Sequence, residues 1–146
     1  MKRGTVGSIV LVAALALMTA GMASQTPPPS GPTLIPEGAT ALEGVPEVRL
    51  DATPEGTMRR QLDVAEAKKE GLKVAIVDGK YYWASRENRP LSLRSSGEFT
   101  YLSSATEPGR YVRLRKIDDR IEYVEHLDMA VGSVTYWGEL RIILGR

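Results

Sequence analysis

The chain has 146 residues, with 19 basic and 18 acidic side chains, one histidine and no cysteine, for a formal charge of +1. That balance supplies no overall field for nucleic acid or an anionic membrane, so a partner of either kind would need a local patch. Without cysteine there is no disulfide, thiol nucleophile, thiolate metal site or lipobox-type lipidation, and an apolar core has to hold the fold together.

The opening MKRGTVGSIVLVAALALMTAGMASQ sets Lys2 and Arg3 ahead of an uncharged apolar run from Ile9 to Met18, then small residues around Gly21 and Ala23. That order reads as a secretory signal peptide over 1–23, cleaved after Ala23. An uncleaved anchor is the rival reading, but the apolar run falls short of the ~20 residues that span a bilayer. Either way the rest of the chain is expected to be exported, to a periplasmic or extracellular location. Cleavage removes Lys2 and Arg3 and no acid, leaving one more acidic than basic residue.

Residues 24–46 hold six of the nine prolines and almost no periodic apolar pattern, which predicts a Pro-rich, disordered linker. One β-rich globular domain is then expected over 47–146. EVRLDA (47–52) alternates like a short edge strand. The following TPEGTMRRQLDVAEAKKEG carries helix signals: Thr53 as N-cap, Pro54 at the first position, Glu55 in the first turn and Gly71 past Lys68 and Lys69. Met58, Leu62 and Ala65 would form its narrow apolar stripe.

LKVAIV (72–77), Asp78-Gly79 and KYYWAS (80–85) predict a hairpin with a two-residue type I′ turn. That turn sets Val77 against Lys80, Ile76 against Tyr81 and Ala75 against Tyr82. Leu72, Val74, Ile76, Tyr81 and Trp83 then share the core face, and Tyr82 is left on the wetter one. Beside Tyr82, Arg86 and Arg89 could hold a sugar, a carboxylate or a phosphate. These three, with Trp137, are the candidate ligand-binding residues. LSLR (91–94) and EFTYLSS (98–104) continue as strands, with Phe99 and Tyr101 on one face.

YVRLRKI (111–117) and IEYVEHL (121–127) flank Asp118-Asp119-Arg120. A three-residue loop pairs Arg113 with Glu125 and Lys116 with Glu122, whereas a two-residue loop sets Arg113 against Val124; charge pairing favours the first. It would put Val112, Leu114, Val124 and His126 on one face, and Tyr111, Ile117, Ile121, Tyr123 and Leu127 on the other. In GSVTYWGELRIILGR (132–146), Gly138 marks either a type II′ turn or a bulge in one long bent strand. The expected fold is therefore α+β and mostly β: one short helix packed on an antiparallel meander of about seven strands, or a small barrel.

His126, the lone histidine, has Glu125, Asp128 and Ser133 near it in sequence. Gly132-Ser133-Val134 is not the G-x-S-x-G elbow of a serine hydrolase, and a catalytic zinc commonly needs three protein ligands. No catalytic residue, metal or cofactor is expected. Between Arg86 and Arg120 there are eight basic and five acidic residues, with Tyr82, Phe99, Tyr101 and Tyr111 nearby. That mixture would suit single-stranded nucleic acid, but export argues against such a ligand and favours an anionic glycan or an acidic protein partner. The resulting expectation is an exported, non-enzymatic binding or scaffolding module of a bacterial-type cell envelope, with an envelope protein or anionic glycan as partner and no nucleic acid or membrane contact beyond the signal peptide. The alternatives are a small secreted hydrolase using His126, and a subunit that completes its sheet with another chain through a free edge at 47–52 or 140–144.

Overall fold

The computed structural model describes residues 32–146. The expected leader, and the linker as far as residue 31, lie outside the described residues. Nine strands and one helix follow: β1 (Ala39–Thr53), β2 (Gly56–Gln61), α1 (Val64–Lys69), β3 (Leu72–Val77), β4 (Lys80–Trp83), β5 (Arg89–Ser96), β6 (Phe99–Ser104), β7 (Arg110–Ile117), β8 (Arg120–Asp128) and β9 (Ser133–Leu144). The strands pair antiparallel in the order β2-β1-β3-β4-β5-β6-β7-β8-β9, and β9 also pairs with β1. That last pairing closes a barrel of eight strands, β1 and β3 to β9, with β2 added outside the ring. Closure removes the free edges an open meander would leave in the ring, and only β2, which pairs with β1 alone, keeps an outer edge among the described residues.

The inward positions are filled by Leu42, Leu72, Val74, Trp83, Leu91, Leu102, Val112, Leu114, Tyr123 and Leu140. An eight-stranded barrel is just wide enough for side chains to fill it, so the interior is a core and not a ligand cavity. Each such side chain contributes roughly 1.5–3 kcal/mol on burial. The hairpin at 78–79 has the register its turn demands, with Val77 opposite Lys80, Ile76 opposite Tyr81 and Ala75 opposite Tyr82. Asp78 and Gly79 both adopt positive φ, 49° and 72°, as a type I′ turn needs. Trp83 is 1% exposed.

Five expectations need correction. Residues 39–46 are not linker but the first half of β1: Leu42 is fully buried, and Pro46 sits at a register shift opposite Gly138, the kind of bulge where a strand tolerates proline. Nor is 47–52 an edge, since β2 lies on one side of it and β9 on the other. The helix is far shorter than the expected one, which ran from Pro54 to the residue before Gly71. Thr53 to Gly56 turns the chain into β2, whose six residues pair with β1. Only Val64–Lys69 is helical, behind Asp63, whose carboxylate accepts from the Glu66 N–H while Glu66 accepts from the Asp63 N–H. Once the β1 backbone offers a ladder over 48–53, satisfying those groups outweighs a three-residue apolar stripe; Met58 is left exposed.

The last two corrections concern register and strand count. The loop between β7 and β8 has two residues, so Arg113 faces Val124, and Arg115 faces Glu122. This register turns Tyr123 and Glu125 inward beside Leu114 and Val112, a packing gain that exceeds cross-strand charge pairs worth 0.2–1 kcal/mol each. Of the two readings of Gly138, the bent strand holds: β9 runs unbroken, and the total is nine strands rather than about seven.

The β1 bulge also exchanges its faces. Before it, Leu42, Gly44 and Pro46 point inward; after it, Arg49 pairs with the inward Tyr136, and Val48 pairs with the outward Trp137. The two barrel ends are closed differently. At one, Ile35 plugs the mouth and the Leu34 N–H donates to Thr100 Oγ1 at 3.0 Å. At the other, α1 lies beside β1 and Ala67 is buried.

Candidate functional site

Two of the four residues singled out from sequence serve the barrel. The Arg86 guanidinium reaches Glu125 Oε2 at 2.9 Å, and Trp83 Nε1 donates to Glu125 Oε1, also at 2.9 Å. Glu125 is fully buried, and burial pushes its carboxyl above the usual carboxylate range despite the pull of Arg86 and the indole. Tyr136 lies between two guanidiniums, Arg49 at 5.6 Å and Arg86 at 5.7 Å from its ring centre. Its hydroxyl donates to Glu70 Oε2 at 2.9 Å, joining the barrel to the end of α1, and burial with that hydrogen bond pushes the phenol up to about 12. Such a network specifies one packing of the mouth and leaves Arg86 engaged. Arg89 pairs with Glu87 and Glu107 on the surface.

The other two lie apart. Tyr82 faces outward opposite Ala75 and Pro90, in a row continued by Ala41. Trp137 also faces outward, but on β9, between Val48 and Val124. The structure therefore does not gather Tyr82, Arg86, Arg89 and Trp137 into one patch.

Around Trp137 the outward face of β5 to β9 does assemble a surface. Registers put Arg94, Tyr101, Arg113, Val124 and Trp137 in one line across five strands. The neighbouring line holds Tyr111, His126 and Thr135, and the line on the other side holds Phe99, Arg115, Glu122 and Glu139. Rings touch in sequence, with centroids 6.2 Å apart for Phe99–Tyr101, 6.3 Å for Tyr101–Tyr111 and 5.2 Å for the stacked Tyr111–His126. Guanidiniums lie against them: Arg113 is 4.9 Å and Arg115 5.7 Å from the Phe99 ring centre, and Arg94 is 5.9 Å from that of Tyr101. Next to this array a groove of about 260 Å³ is lined by Val48, Val124 and Trp137 together with Arg113, Arg115, Arg120, Glu47, Glu122 and Glu139. Arg115 is also paired with Glu98, whereas cation–π contact leaves the N–H groups of Arg94 and Arg113 available to an anion.

His126 belongs to the same face. Its Nδ1 is 2.8 Å from Thr135 Oγ1 and its Nε2 is 3.1 Å from Asp128 Oδ1. The hydroxyl beside it is thus that of Thr135, not Ser133, and Thr135 is 7% exposed, which leaves a substrate carbonyl little approach. Among the described residues no three His, Asp or Glu side chains could together hold a metal ion. The sequence signalled this surface only as composition, a basic stretch with aromatics nearby. Its assembly depends on the β7–β8 register, which charge pairing reads one residue out. No family model matches the chain, nor does any curated protein or solved structure.

Proposed function

We propose that the chain is an exported, non-enzymatic binding module of a bacterial-type cell envelope, and that its working surface is the outward face of β5 to β9. Export rests on Lys2 and Arg3 followed by the apolar run to Met18. The observation that carries the binding reading is the contiguous array of Phe99, Tyr101, Tyr111 and His126 backed by Arg94, Arg113 and Arg115. Half-buried rings on an outward sheet face contribute nothing to a core that is already full. Their large, rigid surface fits recognition instead, where aromatic and arginine anchors concentrate binding energy. The partner expected on this face is an envelope component, either an anionic glycan or an acidic protein surface.

The test is capture from an envelope fraction by the immobilised protein, compared with a Tyr101→Ala/Trp137→Ala variant that retains the wild-type melting transition. The variant is expected to lose the captured component while Tyr82→Ala keeps it. Equal capture by wild type and the platform variant would remove this face from consideration.

A further inference from the structure

Most guanidiniums on this barrel already have a carboxylate. Arg49, Arg60, Arg86, Arg89, Arg110, Arg115, Arg120 and Arg141 each lie within ion-pair distance of an Asp or Glu. Arg94 and Arg113 make no ion pair among the described residues; each lies over a ring of the platform. They are not scattered. In register they flank Tyr101, one on each neighbouring strand. With strands about 4.8 Å apart, the two backbone positions are about 10 Å apart, and Trp137 follows at a similar interval on β9. One line across the barrel wall thus runs cation, ring, cation, then the apolar Val124, and a second ring.

We propose that this line binds a linear acidic polysaccharide lying across the strands, with its anionic groups on Arg94 and Arg113 and the apolar faces of its sugars on Tyr101 and Trp137. The inference rests on the binding reading of the same face and names its ligand class. Two chemical arguments select this occupant. Unpaired guanidiniums spaced two strands apart complement anions that are separated along a chain, as when charged and neutral sugars alternate, and a planar guanidinium meets a carboxylate or sulfate with two parallel hydrogen bonds. Glu47, Glu122 and Glu139 line the same groove. Carboxylates there accept hydrogen bonds from hydroxyls, which a sugar chain carries on every residue, whereas a deoxyoligonucleotide or a run of acidic residues brings few or none; this favours a hydroxyl-rich chain.

The probes are polygalacturonate for carboxylate sugars, heparin for sulfated ones, cellohexaose as a neutral chain, a deoxythymidine oligonucleotide and poly-glutamate. All are titrated against the protein lacking residues 1–23 and followed by tryptophan fluorescence and calorimetry. Polygalacturonate or heparin is expected to bind in a salt-sensitive manner, with cellohexaose much weaker. Each charge-assisted pair lost should cost roughly tenfold in affinity, so Arg94→Gln/Arg113→Gln should bind on the order of a hundredfold more weakly. Arg94→Lys/Arg113→Lys, which keeps the charge but not the paired donors, should fall in between; it replaces the glutamine variant if that one does not fold. Arg59→Gln, an arginine on β2 away from the line, should bind as wild type does.

Failure of both acidic glycans to bind, or undiminished binding by both arginine variants, overturns the proposal. If poly-glutamate or the oligonucleotide binds instead and Tyr101→Ala/Trp137→Ala abolishes it, the glycan assignment falls and the binding face stands. If the platform variants change neither probe binding nor envelope capture, both fall.

Discussion

Glu125 is a carboxylate that the fold places where water cannot reach it, held by the Trp83 indole and the Arg86 guanidinium. Its proton affinity in the folded chain is raised, burial being the largest cause. In the pH window above the ordinary value of 4.5, the folded state holds this proton more tightly than the unfolded state does, so stability falls as pH rises through that window. Removing Arg86 deletes the main compensating charge. Arg86→Ala is expected to destabilise the protein by about 3–5 kcal/mol near neutral pH. Denaturant melts at several pH values should also show a steeper decline above pH 4.5 than in the wild type. A pH-independent loss would assign the arginine's contribution to packing over Tyr136 instead. At this scale the sequence is readable where a single turn dictates neighbours: Asp78-Gly79 alone sends Trp83 in and Tyr82 out. Glu125 was not readable as a core residue, because a carboxylate's burial depends on partners 39 and 42 residues away.

Among the elements, β1 and β9 show how one glycine decides the shape of the barrel. A Cβ built at Gly138 would lie 2.0 Å from the Val45 carbonyl oxygen and 2.7 Å from Pro46 Cα, both backbone atoms with no room to yield. Gly138→Ala is therefore expected to cost about 1–3 kcal/mol or more and to loosen the β1–β9 seam, measurable as faster amide exchange at 44–48 and 137–140. Unchanged exchange there would mean that the crossing relaxes freely. The proline facing this glycine explains why composition misled at 39–46: Pro46 reads as linker in sequence, yet in space it is the bulge that hands β1 from one face to the other. The short helix misled for a related reason. Thr53 reads as the N-cap in sequence, but the flank of β1 draws residues 56–61 into a strand, and Asp63 caps the helix that forms. For β7 and β8, opposite charges favoured one register and the inward fit of Tyr123 the other, and volume in a closed barrel outweighed exposed charge.

Across the whole molecule, mostly-β architecture and barrel closure follow from short alternating strands and the bend at Gly138, whereas the aromatic and arginine face exists only once five strands are aligned. Segment by segment, Phe99, Tyr101, Tyr111 and Trp137 look unrelated, because their adjacency is set by pairings the chain does not spell locally. The end plug is a property of the closed barrel too. Ile35 fills a mouth that an open sheet would not have, so Ile35→Ala should lower stability by about 2–5 kcal/mol in chemical melts while leaving ligand binding by the platform unchanged. Loss of binding along with stability would show that the platform depends on that mouth.

The first and last strands run antiparallel side by side, and the Gly145 N–H donates to the Gly38 carbonyl, so the chain arrives and leaves at one end of the barrel. Tension applied between those two ends would open the seam like a zip, one rung at a time, at low force. Force passed instead between that end of the barrel and the outward face of β5 to β9 would cross several strand pairs at once.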